Sequence, residues 1–275
     1  TVKDIASGGN GVNGSAGGTY SGTNAEYVAW NWYAPTSETN NAGANGASVT
    51  STIKKNVDAG FSIVKWTATN TTNTIGHGLS SPPELILIKS LDVSGNWQVY
   101  AEPIGNNFKL VLDLPDIAGS TTRFGGASPT SSVFTFKDNG LSGDIIAYAF
   151  HSVDGMSDIG SYVGTSAIGN SIVTGFRPAF VMVKSSSNSE PWFILDNKRD
   201  PNNPRDNRLM ADSAAAEDDG SVHTMDFNSN GFTLNGTVGN GTNGSGVSYI
   251  YLAFAEEVYN ANGVTANQTN PFNDG

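Results

Sequence analysis

The chain contains no cysteine, which excludes disulfide bonds, thiolate zinc sites and cysteine catalysis. Charge is also scarce, because Asp, Glu, Lys and Arg make up 14% of the 275 residues, where about a quarter is usual. With 14 Lys and Arg against 25 Asp and Glu, the formal net charge is -11. Such a chain has no positive field for phosphates, so we expect no nucleic-acid partner.

Long apolar runs are missing as well. No stretch approaches the roughly 18 apolar residues that a membrane-spanning helix needs, and no basic amphipathic segment is typical of a membrane-surface helix. We therefore expect no membrane insertion. Because the sequence begins with Thr1 and shows no signal-like apolar core, we expect a fragment or a processed chain.

Helical periodicity is nearly absent, and a weak helix is predicted only at 212–217, where three Ala follow a cap residue. Short β-branched and aromatic runs alternate instead with clusters of Asn, Ser, Thr and Gly, and Gly alone accounts for 33 residues. This pattern predicts strands joined by turns. The expected strands are 27–32, 61–67, 85–89, 97–101, 108–113, 133–136, 145–150, 160–164, 180–184, 192–196, 208–211, 232–234 and 249–254.

An internal repeat is the most informative feature of the sequence. The segments 83–90 and 178–185 both begin with Pro and end in Lys-Ser, at an offset of 95 residues that also relates Trp97 to Trp192. Further along, 134–136 matches 232–234, and 146–150 matches 250–254 with a slightly larger offset. Duplication of one β unit explains these matches better than chance.

We therefore predict an all-β fold of two tandem antiparallel β-sandwich repeats, jelly-roll-like, preceded by an N-terminal arm and strand. The expected domains are an arm with a strand and linker, two sandwich repeats and a polar tail, over 1–50, 51–155, 156–259 and 260–275. The segment 22–30 is similar to the closing strand 248–254, which indicates either the end of an upstream repeat or a strand that completes the first unit.

Several segments resemble a repeat that is common in tailed bacteriophages of marine bacteria. The resemblance is carried by 59–64, 75–79, 85–89, 96–100, 175–184 and 249–256, and it covers about 20–259. In that family such segments occur in large virion structural proteins, often tail-fibre-like. The resemblance implies a virion component that assembles in the cytoplasm of a bacterial host, and it carries over no catalytic residue.

No residue pattern points to catalysis, a cofactor or a metal. His77, His151 and His223 lack the close ligand spacing of a zinc site, and no Gly-x-Ser-x-Gly elbow marks a nucleophile. Calcium at the acidic loops 196–206 and 217–219 is an open alternative, although Lys198, Arg199 and Arg205 would compete for the carboxylates. We therefore assign no catalytic, cofactor-binding or metal-binding residue.

Aromatic residues offer the one candidate contact surface. Trp30, Trp32 and Tyr33 cluster, and alternation along a strand would expose one side to a host glycan or a subunit. The alternative, which we favour, is that Trp30 and Trp32 pack into the core or a subunit junction. Trp97 and Trp192 recur at a fixed offset and are interpreted as architectural.

The leading functional hypothesis is a non-enzymatic virion structural protein, namely a tail-fibre or appendage component that assembles as a homo-oligomer with other virion proteins and meets the host surface. One alternative is a decoration protein on the capsid surface. Another is a carbohydrate-binding module for a host surface glycan. A polysaccharide depolymerase ranks last, because no pair of carboxylates is placed as in a glycosidase.

Overall fold

The structure is a computed structural model that describes residues 3–4, 28–218, 220–237, 239 and 241–256. The predicted polar tail 260–275 and half of the predicted arm, residues 1–2 and 5–27, lie outside these residues. Three 3-10 turns occur in the described part, at Ala44–Gly46, Glu102–Ile104 and Ser221–His223. The strands are β1 (Lys3–Asp4), β2 (Val28–Ala29), β3 (Thr36–Asn40), β4 (Ser51–Asn56), β5 (Phe61–Thr67), β6 (Thr72–Gly76), β7 (Leu85–Ser90), β8 (Gln98–Ala101), β9 (Phe108–Val111), β10 (Gly119–Ser120), β11 (Val133–Lys137), β12 (Asp144–Phe150), β13 (Ser157–Val163), β14 (Asn170–Val173), β15 (Pro178–Ser185), β16 (Trp192–Asp196), β17 (Leu209–Met210), β18 (Met225–Asn228), β19 (Gly231–Leu234) and β20 (Ser248–Ala255).

The first unit consists of a large and a small antiparallel sheet. The large sheet has the order β10-β9-β8-β7-β12-β5-β4-β3, and the small sheet pairs β6 with β11. Strand β7 lies inside the large sheet and is apolar on both faces, since Leu85 and Ile86 point into different cores. A strand that is buried on both faces needs a continuous apolar run, and β7 supplies one.

The second unit repeats this arrangement with fewer strands. Its large sheet has the order β13-β20-β15-β16-β17, and its small sheet has the order β14-β19-β18. The order β9-β8-β7-β12-β5 of the first unit therefore recurs as β17-β16-β15-β20-β13. Register recurs as well, because Phe150 pairs with Phe61 in the first unit as Phe254 pairs with Ser157 in the second.

Three apolar cores separate the sheets. One core lies between the two sheets of the first unit, and a second lies between the two sheets of the second unit. The third lies between the two large sheets, so the described units form four successive layers of sheet. The buried side chains of this shared core are Phe61, Leu85, Val99, Ala101, Leu110, Phe150, Phe180, Met182, Trp192, Ile194, Ile250, Leu252 and Phe254.

The predicted all-β fold with tandem antiparallel sandwiches is confirmed, and two strands, 61–67 and 192–196, have the predicted bounds. The helix predicted at 212–217 is wrong, because this segment has no regular structure and is mostly exposed. Within the described part of the predicted strand 27–32, residues 28–32, only Val28–Ala29 are in a strand, which pairs with Lys3–Asp4. The domain boundaries stay predictions, and β3, which lies within the predicted arm, pairs with β4 across the boundary at residue 50.

Candidate functional site

The predicted contact residues are divided between the core and the surface. Trp30 packs edge-on against Phe180, with ring centroids 5.8 Å apart, and Trp32 packs against Phe150 at 6.0 Å. Both indoles lie against the shared core. Tyr33 is 56% exposed, so it is the member of the cluster whose ring is presented to solvent.

The buried histidine His77 is held by two backbone groups. Its Nδ1 accepts a hydrogen bond from the Leu79 amide at 3.2 Å, and its Nε2 lies 3.0 Å from the Thr130 carbonyl oxygen. A carbonyl oxygen only accepts, so the Nε2–H tautomer is present. Burial lowers the pKa of His77 to about 4, and the imidazole is therefore a neutral structural group at pH 7.

The other two histidines make their own local contacts. The Nδ1 of His151 is 2.8 Å from the Ser152 carbonyl oxygen. The His223 ring packs on Phe193 with centroids 4.9 Å apart, and burial lowers its pKa to about 4. Within the described ranges, no three His, Asp or Glu side chains gather closely enough to hold a metal ion.

The acidic loops considered for calcium use their carboxylates in ion pairs. Asp196 is fully buried, and it accepts hydrogen bonds from Arg199 Nε at 2.7 Å and from the Arg199 amide at 2.9 Å. Arg199 also pairs with Glu217, and Arg208 pairs with Asp218. Three carboxylates of these loops, Asp196, Glu217 and Asp218, are therefore paired with arginines within the chain.

A carboxylate pair lies where the two units join. Tyr251 donates a hydrogen bond to Asp158 at 2.5 Å, and the Ser152 amide donates to Glu84 at 2.8 Å. Burial raises the pKa of Asp158, with a smaller contribution from the negative charge of Glu84. Each carboxylate is thus held by neighbouring donors: Glu84 of the first unit holds Ser152 of the connecting segment, and Asp158 of β13 holds Tyr251 of β20.

A small cavity of about 200 Å³ opens at one end of the first unit's own core. Its wall includes Ile88, Gln98, Arg123 and Phe136. Arg123 lies 5.9 Å from the centre of the Phe136 ring and donates to the Lys137 carbonyl oxygen at 3.2 Å. The arginine that could hold an anion in this cavity is therefore already engaged with the wall.

The duplicated tryptophan of the second unit defines a closed site. The Trp192 site consists of Lys184, Trp192, Ile250 and Leu252, which lie on the face of the second large sheet that borders the shared core. Trp192 is 1% exposed, and its Nε1–H donates to the Val111 carbonyl oxygen at 2.8 Å. This bond crosses from the second unit to the first.

A segment of the first unit covers the Trp192 site, and we call it the strap (residues 113–118). Lys184 Nζ donates to the Pro115 carbonyl oxygen at 3.1 Å and to the Ser185 carbonyl oxygen at 2.8 Å. The Ala118 amide donates to the Ser186 carbonyl oxygen at 2.9 Å. Burial lowers the pKa of Lys184 to about 8, which fits an ammonium group that is removed from water.

The equivalent surface of the first unit is open. We call it the Trp97 surface, and it consists of Lys89, Trp97, Ile146 and Tyr148, all of which are half-buried. Lys89 Nζ lies 6.0 Å from the centre of the Trp97 ring, and the Trp97 and Tyr148 centroids are 6.0 Å apart. In the described part of the chain, no group accepts a hydrogen bond from the Trp97 indole.

The sequence repeat relates Trp97 to Trp192 but does not predict that their surroundings differ. In the structure Trp192 is the first residue of β16, while Trp97 immediately precedes β8, with equal register in the two strand pairs. The available signal was the unequal pair of segments 113–118 and 212–217, where Leu and Pro in the first correspond to Ser and Ala in the second. Only the first of these segments crosses to the other unit.

Comparison with known proteins gives a family without an assigned role. Residues 1–258 match the model of a family described as a domain of unknown function, DUF7483. No curated protein and no solved structure matches the chain. Among the described residues, no helix has the length and apolar character to cross a bilayer.

Proposed function

The chain belongs to the DUF7483 family, whose function is unknown, and we propose from its geometry that it is a non-enzymatic structural protein that acts through assembly. The observation that carries this proposal is the shared core. Large apolar side chains that could have formed a ligand cleft between the units, such as Phe150, Trp192 and Phe254, are used to join two sheets. A block of four sheet layers resists deformation, as a component of an assembled particle requires.

The reactive side chains support the same reading, since they are engaged within the chain. His77 is neutral and bonded to backbone, and Asp196 is paired with Arg199. Asp138 is fully buried and accepts bonds from the Thr69 and Thr71 amides at 2.8 and 2.7 Å. Groups held in this way fix loops and are poorly placed to exchange protons with a substrate.

The resemblance to phage virion proteins supports a place in a virion, and within it we propose a tail fibre or appendage that meets the host, with a capsid-surface decoration as the second position. Such a protein pairs with other copies of itself and with other virion proteins. Labelling of intact particles with an antibody against the purified chain distinguishes the two positions. Labelled capsids with bare tails would contradict the tail assignment.

Sedimentation velocity of the purified chain at micromolar concentration tests the assembly role. We expect an oligomer, because an assembly component must bury surface between copies to form a stable particle. A single species with the mass of one 28.7 kDa chain across the whole concentration range would contradict this proposal. A matched run in high salt shows whether charge contributes to the association.

A second candidate function is recognition of a host surface glycan, and the half-buried Trp97 and Tyr148 rings favour it. Aromatic faces next to a cation are suited to stacking on sugar rings and to holding an acidic substituent. Glycan-array binding by the purified chain tests this candidate. Trp97→Ala should abolish binding, whereas Trp30→Phe, in the core, should leave it unchanged.

A further inference from the structure

The Trp192 site shows which kind of ligand this surface of the repeat accepts. Its occupant belongs to the first unit: the strap offers the Pro115 carbonyl oxygen to the ammonium group of Lys184, and the preceding strand β9 offers the Val111 carbonyl oxygen to the indole N–H of Trp192. The occupant therefore contributes backbone acceptors above a floor of apolar side chains. This combination is typical of the binding of an extended peptide.

The Trp97 surface has Lys and Trp at the positions of Lys184 and Trp192, and no segment of the other unit lies over them in the described residues; Lys89 Nζ donates instead to the Gly95 carbonyl oxygen of its own unit. Lys89 corresponds to Lys184 and Trp97 to Trp192 at one offset, and both surfaces lie on the side of the large sheet that faces the shared core. Tyr148 packs against that core. The open surface is thus continuous with the interface that already joins the two units.

The structural counterpart of the strap is the segment 212–217, which we call the Ala loop. The strap begins where the Trp97 amide donates to Asp113 Oδ1 at 2.9 Å, and the Ala loop begins where the Trp192 amide donates to Asp212 Oδ1, also at 2.9 Å. The residues before them match too, since the Leu112 and Ala211 amides donate to the carbonyl oxygens of the respective tryptophans at 3.2 Å. The two segments are therefore copies of one element.

The Ala loop does not cover the Trp97 surface of its own chain. Residues 213–217 are exposed, and ion pairs of Glu217 with Arg199 and of Asp218 with Arg208 hold the end of the loop on the second unit. The loop therefore presents three alanines and unpaired backbone carbonyl groups to solvent.

We propose that the Trp97 surface of one copy binds the Ala loop of a second copy of this chain. This inference rests on the proposed function, because it names the partner in the assembly. The bound loop supplies a carbonyl oxygen to Lys89, as the strap does to Lys184, in place of the Gly95 carbonyl oxygen to which Lys89 donates within the chain. Its small side chains lie on Ile146 and Tyr148. If two copies exchange loops the result is a closed dimer, and if each copy binds the next the result is a filament.

Because the chain has no cysteine, single introduced cysteines provide a direct test. Asn96 is exposed beside Trp97, and Ala215 is exposed in the Ala loop. We mix the full-length single variants Asn96→Cys and Ala215→Cys, one of them carrying a mass tag, and oxidise them. The control mixture replaces Asn96→Cys by Ile168→Cys, since Ile168 is 72% exposed on the second unit, away from the Trp97 surface.

We expect the Asn96–Ala215 mixed disulfide to form about tenfold faster than the control pair, because docking raises the effective concentration of the two thiols. Trp97→Ala in the Asn96→Cys chain should remove this advantage and lower the oligomer mass in sedimentation. Equal rates for both pairs, in a wild-type chain that is oligomeric, would overturn the inference and leave the proposed function standing. A monomeric wild-type chain would overturn both.

A glycan-binding measurement tests the alternative that a sugar, and not the Ala loop, occupies this surface. The wild-type chain and Trp97→Ala are compared on the same glycan array and in the same sedimentation run. Loss of glycan binding with an unchanged oligomer mass assigns the surface to a sugar and overturns the inference. Loss of the oligomer without any glycan signal supports it.

Discussion

The two repeats carry the same Lys and Trp on the same strands, yet one pair is closed and the other is open. Lys184 and Trp192 are almost completely buried beneath the strap, whereas Lys89 and Trp97 remain half-buried. The difference comes from the segment that follows β9 or β17 and not from the sheets, whose register is the same. The two units therefore share the strand order of their large sheets, and they differ in whether a loop covers the Lys and Trp side chains.

Truncation of the two tryptophans should give the largest contrast in stability. We expect Trp192→Ala to lower the free energy of unfolding by about 4 kcal/mol, because it leaves a cavity in the shared core, and Trp97→Ala to lower it by only about 1 kcal/mol. Urea denaturation of the two variants measures both values. Equal losses of stability would mean that the two tryptophans are equally buried in solution. If Trp192→Ala does not fold, Trp192→Phe replaces it in the same measurement.

A buried charge in the second unit should give the next largest effect. Asp196 lies where the first unit has the buried Ala101, and its loss leaves the Arg199 guanidinium without its buried partner. We expect Asp196→Ala to cost about 3 kcal/mol, measured by denaturation at pH 7. Asp144→Ala, which removes an exposed ion pair with Lys65, is the matched control and should change little.

The two lysines should differ in the alkaline range. The folded pKa of Lys184 is lowered from 10.5 to about 8, so the unfolded chain binds more protons between these values and stability rises with pH. From pH 7 to pH 10 the gain should be about 2.5 kcal/mol. Lys184→Met should remove this rise in the denaturation midpoint, and Lys89→Met should retain it. If the stability of Lys184→Met increased between pH 7 and pH 10 as much as that of the wild type, the Lys184 ammonium group would be solvated in the folded chain and its pKa would not be lowered.

The smallest contrast concerns the turn that contains His77 in the first unit and Thr174 in the second. The two positions correspond, since their amides donate to Ser132 and Asn230, which are themselves equivalent. With a folded pKa of about 4 against the ordinary 6.5, His77 makes stability fall as the pH drops below 6.5. The loss is about 2 kcal/mol between pH 7 and pH 5.

His77→Thr copies the second unit's residue into the first and should remove this part of the acid dependence. Thermal unfolding at pH 7 and pH 5 compares the variant with the wild type. His223, whose pKa is also lowered to about 4, contributes equally to the acid-dependent loss of stability in the variant and in the wild type. An identical acid loss in the variant and the wild type would show that His77 is protonated in the folded chain.

Strands with a clear apolar or aromatic pattern were accessible from the sequence, as 61–67 and 192–196 illustrate. Four strands were not, namely β3, β4, β6 and β14, because they are rich in Thr, Ser, Asn and Lys. Each contributes few core residues, such as Ile53 or Ile75, among polar neighbours. Their pairing depends on an adjacent strand and leaves little local signal.

The amino-acid sequence by itself determined the β class, the duplication and the equivalence of Trp97 and Trp192, because side-chain type and spacing act within a single strand. Only the tertiary structure decided that the two large sheets face each other, that the strap crosses between units and that the Ala loop remains outside. Those outcomes depend on contacts between residues about 70 to 80 positions apart, such as Lys184 with Pro115 and Trp192 with Val111. Burial at such distances is a property of the assembled layers, so identical residues at equivalent positions have different environments.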